Sequence, residues 1–274
     1  MSVTGQLFDR QWSLAVGETQ ADGLRVVFEI NKKLSRFPDP AEITVYNLSR
    51  KTRESFGRGD QVRLVAGYAG AADLIFSGQV VQVQVKRDGA DLPVTLTCRD
   101  GDQAWRASAV GAFAANVPLH LALSRIAGAM GLTVPTSTVA AVQGLTTRSA
   151  FAHVTYGHRT LQDLLAPAGL VWSIVDGALQ VVANDGATTD EAVVLSAQTG
   201  LIGSPTREGG APSAKGKAVK VRAMGLLQPG LRPGRRVLLQ SESFDGFFRV
   251  DEVLHKGDTH GQDWYSDLTL RGVA

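Results

Sequence analysis

The chain has 274 residues, enough for two or three domains with cores of their own, and its apolar fraction of 44% is ordinary for a folded globular protein. A formal charge of +2, without a basic stripe or interleaved aromatics, leaves no electrostatic footprint for nucleic acid. Cys98 is the single cysteine, which excludes an internal disulfide framework and a cysteine zinc site; no window is apolar enough for a membrane helix or a signal sequence, so folding in a cytoplasm is expected.

Residues 12–16 and 24–32 read as strands, the second with Leu24, Val26, Phe28 and Ile30 on one face. Pro38 and Pro40 interrupt the alternation, 42–48 resumes it, and Ser49 stands where it would cap a short helix ending at Gly57. Gly59-Asp60-Gln61-Val62-Arg63-Leu64-Val65-Ala66-Gly67 is a half-buried strand approached from a turn. Phe76-Ser77-Gly78 then leads into the alternating run 79–86, which stops at Asp88-Gly89, and 96–99 follows. About six strands with turns at this spacing mean a barrel or a sandwich.

After residue 106 the period changes from two to about 3.6. Asn116 is placed to cap a helix with Pro118 in its first turn; Leu119, Leu123, Ile126 and Met130 share a face, Gly131 closes it, and 132–134 leaves as a strand. A second helix carries Leu161, Leu164, Leu165 and Ala168, is shortened by Pro167 and ends at Gly169. Residues 170–175 and 178–182 then form a hairpin through Asp176-Gly177. This middle stretch is a small α+β domain, and the Gly/Pro-rich run 203–217 is expected as a flexible loop beyond it.

The last stretch repeats the first. Gly234-Arg235-Arg236-Val237-Leu238-Leu239 answers the run from Gly59, and Phe244-Asp245-Gly246 and Lys256-Gly257 answer Phe76-Ser77-Gly78 and Asp88-Gly89 without a gap. Leu268-Thr269-Leu270-Arg271 answers Leu96-Thr97-Cys98-Arg99. The glycines carry the match, because turns dictate them where valines and leucines interchange freely. Two copies of one antiparallel unit are therefore expected, in domains 1–106 and 191–274, the second holding the loop 203–217, with 107–190 between them.

Catalytic chemistry is thin. His255, Asp258 and His260, with Asp263 close by, form the densest set of potential ligands, yet they occupy the turn that answers Asp88-Gly89, where the first copy has no histidine. His153 and His158 flank Tyr156, but no Gly-x-Ser-x-Gly supplies a nucleophile. A phosphate loop at 210–217 fails on spacing, and Ala218 replaces the required hydroxyl. Trp105, Trp172 and Trp264 fall in three regions and read as core or interface anchors. No catalytic, cofactor-binding or metal residue is assigned and no cofactor is expected. A cell-wall hydrolase or cell-wall-binding module using His255, Asp258 and His260 is the alternative.

The order Ile43-Thr44-Val45-Tyr46-Asn47-Leu48-Ser49, then 59–68, then Ile75-Phe76-Ser77-Gly78, resembles the baseplate hub proteins of tailed phages related to the late control protein D group. Thr199-Gly200-Leu201-Ile202-Gly203-Ser204-Pro205, Leu231-Arg232-Pro233-Gly234 and His255-Lys256-Gly257-Asp258 look like the second barrel of such hubs. The resemblance implies a mainly β fold with an α+β insert: two tail-tube-like antiparallel β-barrel domains flanking a small α+β domain. It implies a homotrimer whose six barrels form a pseudo-sixfold ring, without turnover, in the virion tail baseplate. Its implied partners are a hexameric tail tube or distal tail protein and a trimeric tail spike, with the tape measure protein and baseplate wedge as further candidates. DNA would only pass through the channel, and no membrane anchor is expected. Because the chain stops at Ala274, short of hubs with a fused spike or lysozyme, those parts are expected as separate partners. A secretion-system spike base would share the architecture.

Overall fold

The computed structural model of the protein describes residues 9–21, 23–208 and 219–273. The first part holds strands β1 (Arg10–Val16), β2 (Thr19–Gln20), β3 (Val26–Lys33) and β4 (Pro40–Tyr46), helix α1 (Arg50–Ser55), and strands β5 (Gln61–Tyr68), β6 (Asp73–Val85) and β7 (Pro93–Arg99). The middle holds α2 (Asp102–Arg106), β8 (Ser108–Phe113), α3 (Leu119–Ala129), α4 (Thr136–Ala141), β9 (Phe151–Tyr156), α5 (Gly157–Leu165), β10 (Leu170–Val175) and β11 (Ala178–Ala183). The last part holds β12 (Val193–Ser196), β13 (Leu201–Arg207), β14 (Lys220–Leu226), β15 (Arg236–Gln240), β16 (Asp245–Asp258) and β17 (Trp264–Gly272).

The fold is mainly β, and thirteen strands from the first and last parts join in one sheet. The first unit runs β3-β4-β7-β6-β5-β1 and the last runs β13-β14-β17-β16-β15-β12, the same order built twice. They differ at one edge, where β1 meets β5 antiparallel but β12 meets β15 parallel. The strand path is open among the described residues, and β3 pairs with β16 across the units, so the two units share a sheet instead of standing as separately closed barrels.

The repeat extends to single hydrogen bonds. Gly59 N donates to Val80 O at 2.8 Å and Val80 N to Asp60 O at 2.9 Å; Gly234 N donates to Val250 O at 2.7 Å and Val250 N to Arg235 O at 3.0 Å. Immediately afterwards β6 and β16 each carry a bulge, between Val80 and Gln82 and between Val250 and Glu252. Val80 therefore corresponds to Val250, two residues away from the gapless match that the sequence suggests for this strand. Strand side chains alternate with period two, so a slip of two keeps every residue on its own face and is invisible to pattern matching.

Each part has its own core. Val26, Phe28, Ile43, Leu64, Phe76 and Leu96 are among the residues packed in the first, Leu123, Ile126, Leu161, Trp172 and Leu179 in the middle, and Val221, Val237, Val250 and Leu268 in the last. In the middle, Ser49-type capping does not recur: Pro118 precedes α3, while Asn116 takes a left-handed φ of 63° and its N–H reaches Thr147 O. Ser49 itself caps α1 as expected, accepting from Thr52 N at 3.1 Å. Residues 132–134 form no strand but a single bridge between Thr133 and Ala178, and α4 follows. Pro167 ends α5 in a 3₁₀ turn and Gly169 closes it at φ 72°. Of the loop expected at 203–217, Gly203 to Arg207 belong to β13; residues 209–217 lie outside the described residues.

Gly257 shows how the units are joined. It faces Phe28 across β3 and Trp264 across β17, and the two rings meet edge to face at 5.5 Å. A Cβ on residue 257 would collide with the Phe28 ring. Gly257→Ala is expected to lower stability by about 1–3 kcal/mol through overpacking, measured by denaturant unfolding; an unchanged midpoint would show that the ring moves aside freely.

Candidate functional site

The junction between the units is built where three parts of the chain converge. In β3, Val26, Phe28, Ile30 and Lys32 alternate inward, so the strand period that buries three apolar residues also buries a lysine. Asp100 extends the inward parity of Leu96 and Cys98 at the end of β7 in the same way. The β10–β11 hairpin supplies the third group, since Asp176 and Gly177 take left-handed φ of 53° and 79°, the two-residue turn that Asp-Gly favours.

These groups clasp one another. Lys32 Nζ lies 2.6 Å from Asp176 Oδ1, with side chains 1% and 6% exposed. Ser77 N donates to the same oxygen at 3.0 Å, and the N–H groups of Asp176 and Gly177 both donate to the Asp100 carboxylate. Asp39 accepts from Lys33 N at 3.1 Å through Oδ1, and its carbonyl accepts from Asp100 N at 3.0 Å. The middle hairpin is thus pinned to strands β3, β6 and β7. Three acids share one lysine, and burial together with a neighbouring carboxylate holds two of them high: Asp39 is pushed up to about 8 by burial and the Asp100 charge, and Asp100 to about 7 by burial and Asp176.

The second unit contributes His255 from β16. It sits opposite Ile30, 1% exposed, with Nδ1 2.8 Å from Ser266 Oγ, and burial and the Lys32 charge lower it to about 3. Of the residues singled out with it, Asp258 is gripped by Arg25 through contacts of 3.1 and 2.6 Å and accepts from His260 N at 3.0 Å; the Arg25 hydrogen bonds hold its carboxyl below the usual range. His260 pairs with Thr259 Oγ1 at 3.0 Å, and Asp263 offers its carbonyl to Asp258 N. The cluster is a tied-off hairpin end: His255 points into the core while Asp258 is spent on Arg25. Among the described residues no three of His, Cys, Asp and Glu are placed to share a metal ion.

His153 and His158 serve separate aromatic stacks. His158 lies on Trp105 at 3.8 Å and binds its carbonyl through Nδ1 at 2.8 Å, while His153 stacks on Phe113 at 5.7 Å. Trp105 and Trp172, read from sequence as belonging to different regions, stack at 6.3 Å against the middle core; Trp264 anchors the junction and donates to Gly67 O at 3.2 Å. Sequence reasoning missed Lys32, Asp39, Asp100 and Asp176 as a group. The parity of Lys32 and Asp100 is the signal that would have found the first pair.

A family model described as baseplate hub gp41 matches residues 3–242. No curated protein sequence matches the chain. Among solved structures, the tail protein of Neisseria meningitidis MC58 superposes with a TM-score of 0.68 at 11% identity, covering 97% of both chains. The 43 kDa tail protein of prophage MuSo2 from Shewanella oneidensis gives 0.66 at 11% identity, covering 96% of this chain and 98% of that one. An Escherichia coli component of the type VI secretion system, described as structurally similar to the T4 phage tail proteins gp27 and gp5, gives 0.66 at 9% identity over 95% and 77%. At such identities the superpositions establish a shared fold. The family match spans most of the chain, from the first β unit through the middle part to β15 of the last unit, and on that extent the protein belongs to the phage baseplate hub gp41 family.

Proposed function

We propose that the chain is the structural hub of a phage or phage-like tail baseplate, a homotrimer in which each chain supplies two tail-tube-like β domains, 1–106 and 191–274, around the small domain 107–190. Three chains then present six similar units. Such a ring joins a hexameric tail tube or distal tail protein on one side to a trimeric spike on the other, leaving a channel for DNA. The three separate cores support the division, and membership of a structural hub family supports the role.

One observation carries the reading: the contact between units within the chain runs head to tail, with β3 of the first on β16 of the last. A head-to-tail contact that repeats generates a ring when its rotation closes. The alternative, a cell-wall hydrolase or binding module, depends on His255, Asp258 and His260, of which the first is engaged in the core, the second in the Arg25 clasp and the third with Thr259. Light scattering of the purified protein at micromolar concentration tests the proposal. A mass of three chains, binding the cognate tube and spike proteins, is expected; a single-chain mass that neither partner changes would refute it.

A further inference from the structure

The internal repeat predicts the contact that closes the ring. Strand β16 has two halves: β15 covers Asp245 to Arg249, then leaves, and β3 takes the same edge from Glu252 to Asp258. Strand β6 is built the same way. β5 covers Asp73 to Gln79 and departs after the Val80 hydrogen bonds, while β7 stays on the other side through Val85. Among the described residues nothing pairs with the vacated edge of β6 beyond the bulge, and Val85 there is 47% exposed. Strand β13, the counterpart of β3, is likewise paired on one side only, with β14.

Counting through shared partners fixes the register. Cys98 and Leu270 correspond, as do Val80 and Val250, so Val85 of β6 stands where His255 stands in β16. Ala41 and Val221 are the partners of Cys98 and Leu270, and they pair in turn with Ile30 and Arg207, so Arg207 stands where Ile30 stands in β3. Inside the chain His255 faces Ile30 and Lys256 faces Glu29. The Lys86 N–H turns to Pro93 O on β7, so the alternation of an antiparallel ladder aims the Val85 N–H outward, toward the empty edge.

Resting on the trimeric hub proposed above, we infer that the second half of β6 in one protomer pairs antiparallel with β13 of the next, Val85 opposite Arg207 and Lys86 opposite Thr206. The occupant of both free edges is a second copy of this chain. Each chain then contributes the run β13-β14-β17-β16-β3-β4-β7-β6 to one closed sheet, and no edge of that run remains open for aggregation. The middle hairpin covers the contact inside the chain on its His255 side; Val85 and Arg207 keep a solvated side, which fits a valine and an arginine where the first contact has buried His255 and Ile30.

Cysteines at opposed positions test the register, because directly opposite strand residues have Cα atoms about 4.5–5.5 Å apart, within disulfide reach. Cys98 does not compete, being buried with its thiol pushed up to about 12. Full-length Val85→Cys/Arg207→Cys, mildly oxidised, should move mostly into covalent trimers on a non-reducing gel. Val85→Cys/Thr206→Cys, whose side chains point to opposite faces, should remain uncross-linked. A trimeric mass with no cross-link in the first pair would overturn this contact and leave the trimeric hub standing; a single-chain mass would overturn both. Val85→Pro adds a check independent of oxidation: it removes one outward N–H and should abolish the trimer while thermal unfolding stays cooperative, whereas a trimer that survives it would overturn the contact.

Discussion

Replacing Lys32 with methionine is expected to lower stability by about 3–5 kcal/mol, the cost of leaving a buried charge without its partner. The ammonium lies 2.6 Å from Asp176 Oδ1 with both side chains almost wholly buried, and Asp100 and Asp39 crowd the same pocket. Without the cation, Asp176 must take up a proton or let water into the contact between the hairpin and the sheet. Adding Asp176→Asn should recover most of the loss. Asparagine tolerates the left-handed φ of 53°, keeps an acceptor for Ser77 N and carries no charge. Denaturant unfolding of the two single variants and the double measures the coupling. A double variant no more stable than Lys32→Met would show that the lysine is held for another reason.

Raising the pH from 6.5 to 8 is expected to lower the melting temperature. Asp39 holds its proton up to about 8 in the folded state against an ordinary value of 3.8, and Asp100 up to about 7, because burial and neighbouring carboxylates oppose ionisation. A raised folded value means that the folded chain binds the proton more tightly. The stabilisation is therefore complete below the unfolded value and is lost as pH rises through the folded one. His255 works the other way: its folded value of about 3 lies below 6.5, so it costs stability mainly as pH falls beneath that point. Between 6.5 and 8 the unfolded histidine loses the rest of its proton, a small opposing gain beside the loss from the two carboxyls. Asp39→Asn imitates the protonated acid, keeps an acceptor for Lys33 N, and should flatten the dependence. A melting temperature that is flat or rises over this range in the parent protein would contradict the assignment.

Much of this was legible in the residues themselves. Gly59 and Gly234 mark the same turn because a hydrogen bond to Val80 or Val250 and a positive φ are required there, and such positions survive when core residues drift. The slip between the second strands could not be read, since a shift of two residues leaves every side chain on its own face and both strands carry the same bulge. The β8–β9 pair escaped for a different reason. Val110 and Val154 are 66% and 82% exposed while β9 turns His153 and Thr155 to its more buried face, so the apolar-in, polar-out alternation is lost. Gly203 to Arg207 read as a loop because glycine and proline mark turns, yet an edge strand with one paired side accommodates both, with a register irregularity between Ile202 and Thr206. In the junction, Asp176-Gly177 was visible as a turn, but its role depends on Lys32 and Asp100, which lie far away in sequence.

Averaged images of the purified particle test most directly whether a twice-built unit in three chains imitates sixfold symmetry. The expected view down the axis is a closed ring of six similar lobes that become unequal in alternation at higher detail, where the antiparallel β1 edge and the parallel β12 edge differ. An open arc, a twofold particle or a ring with an odd number of lobes would contradict it.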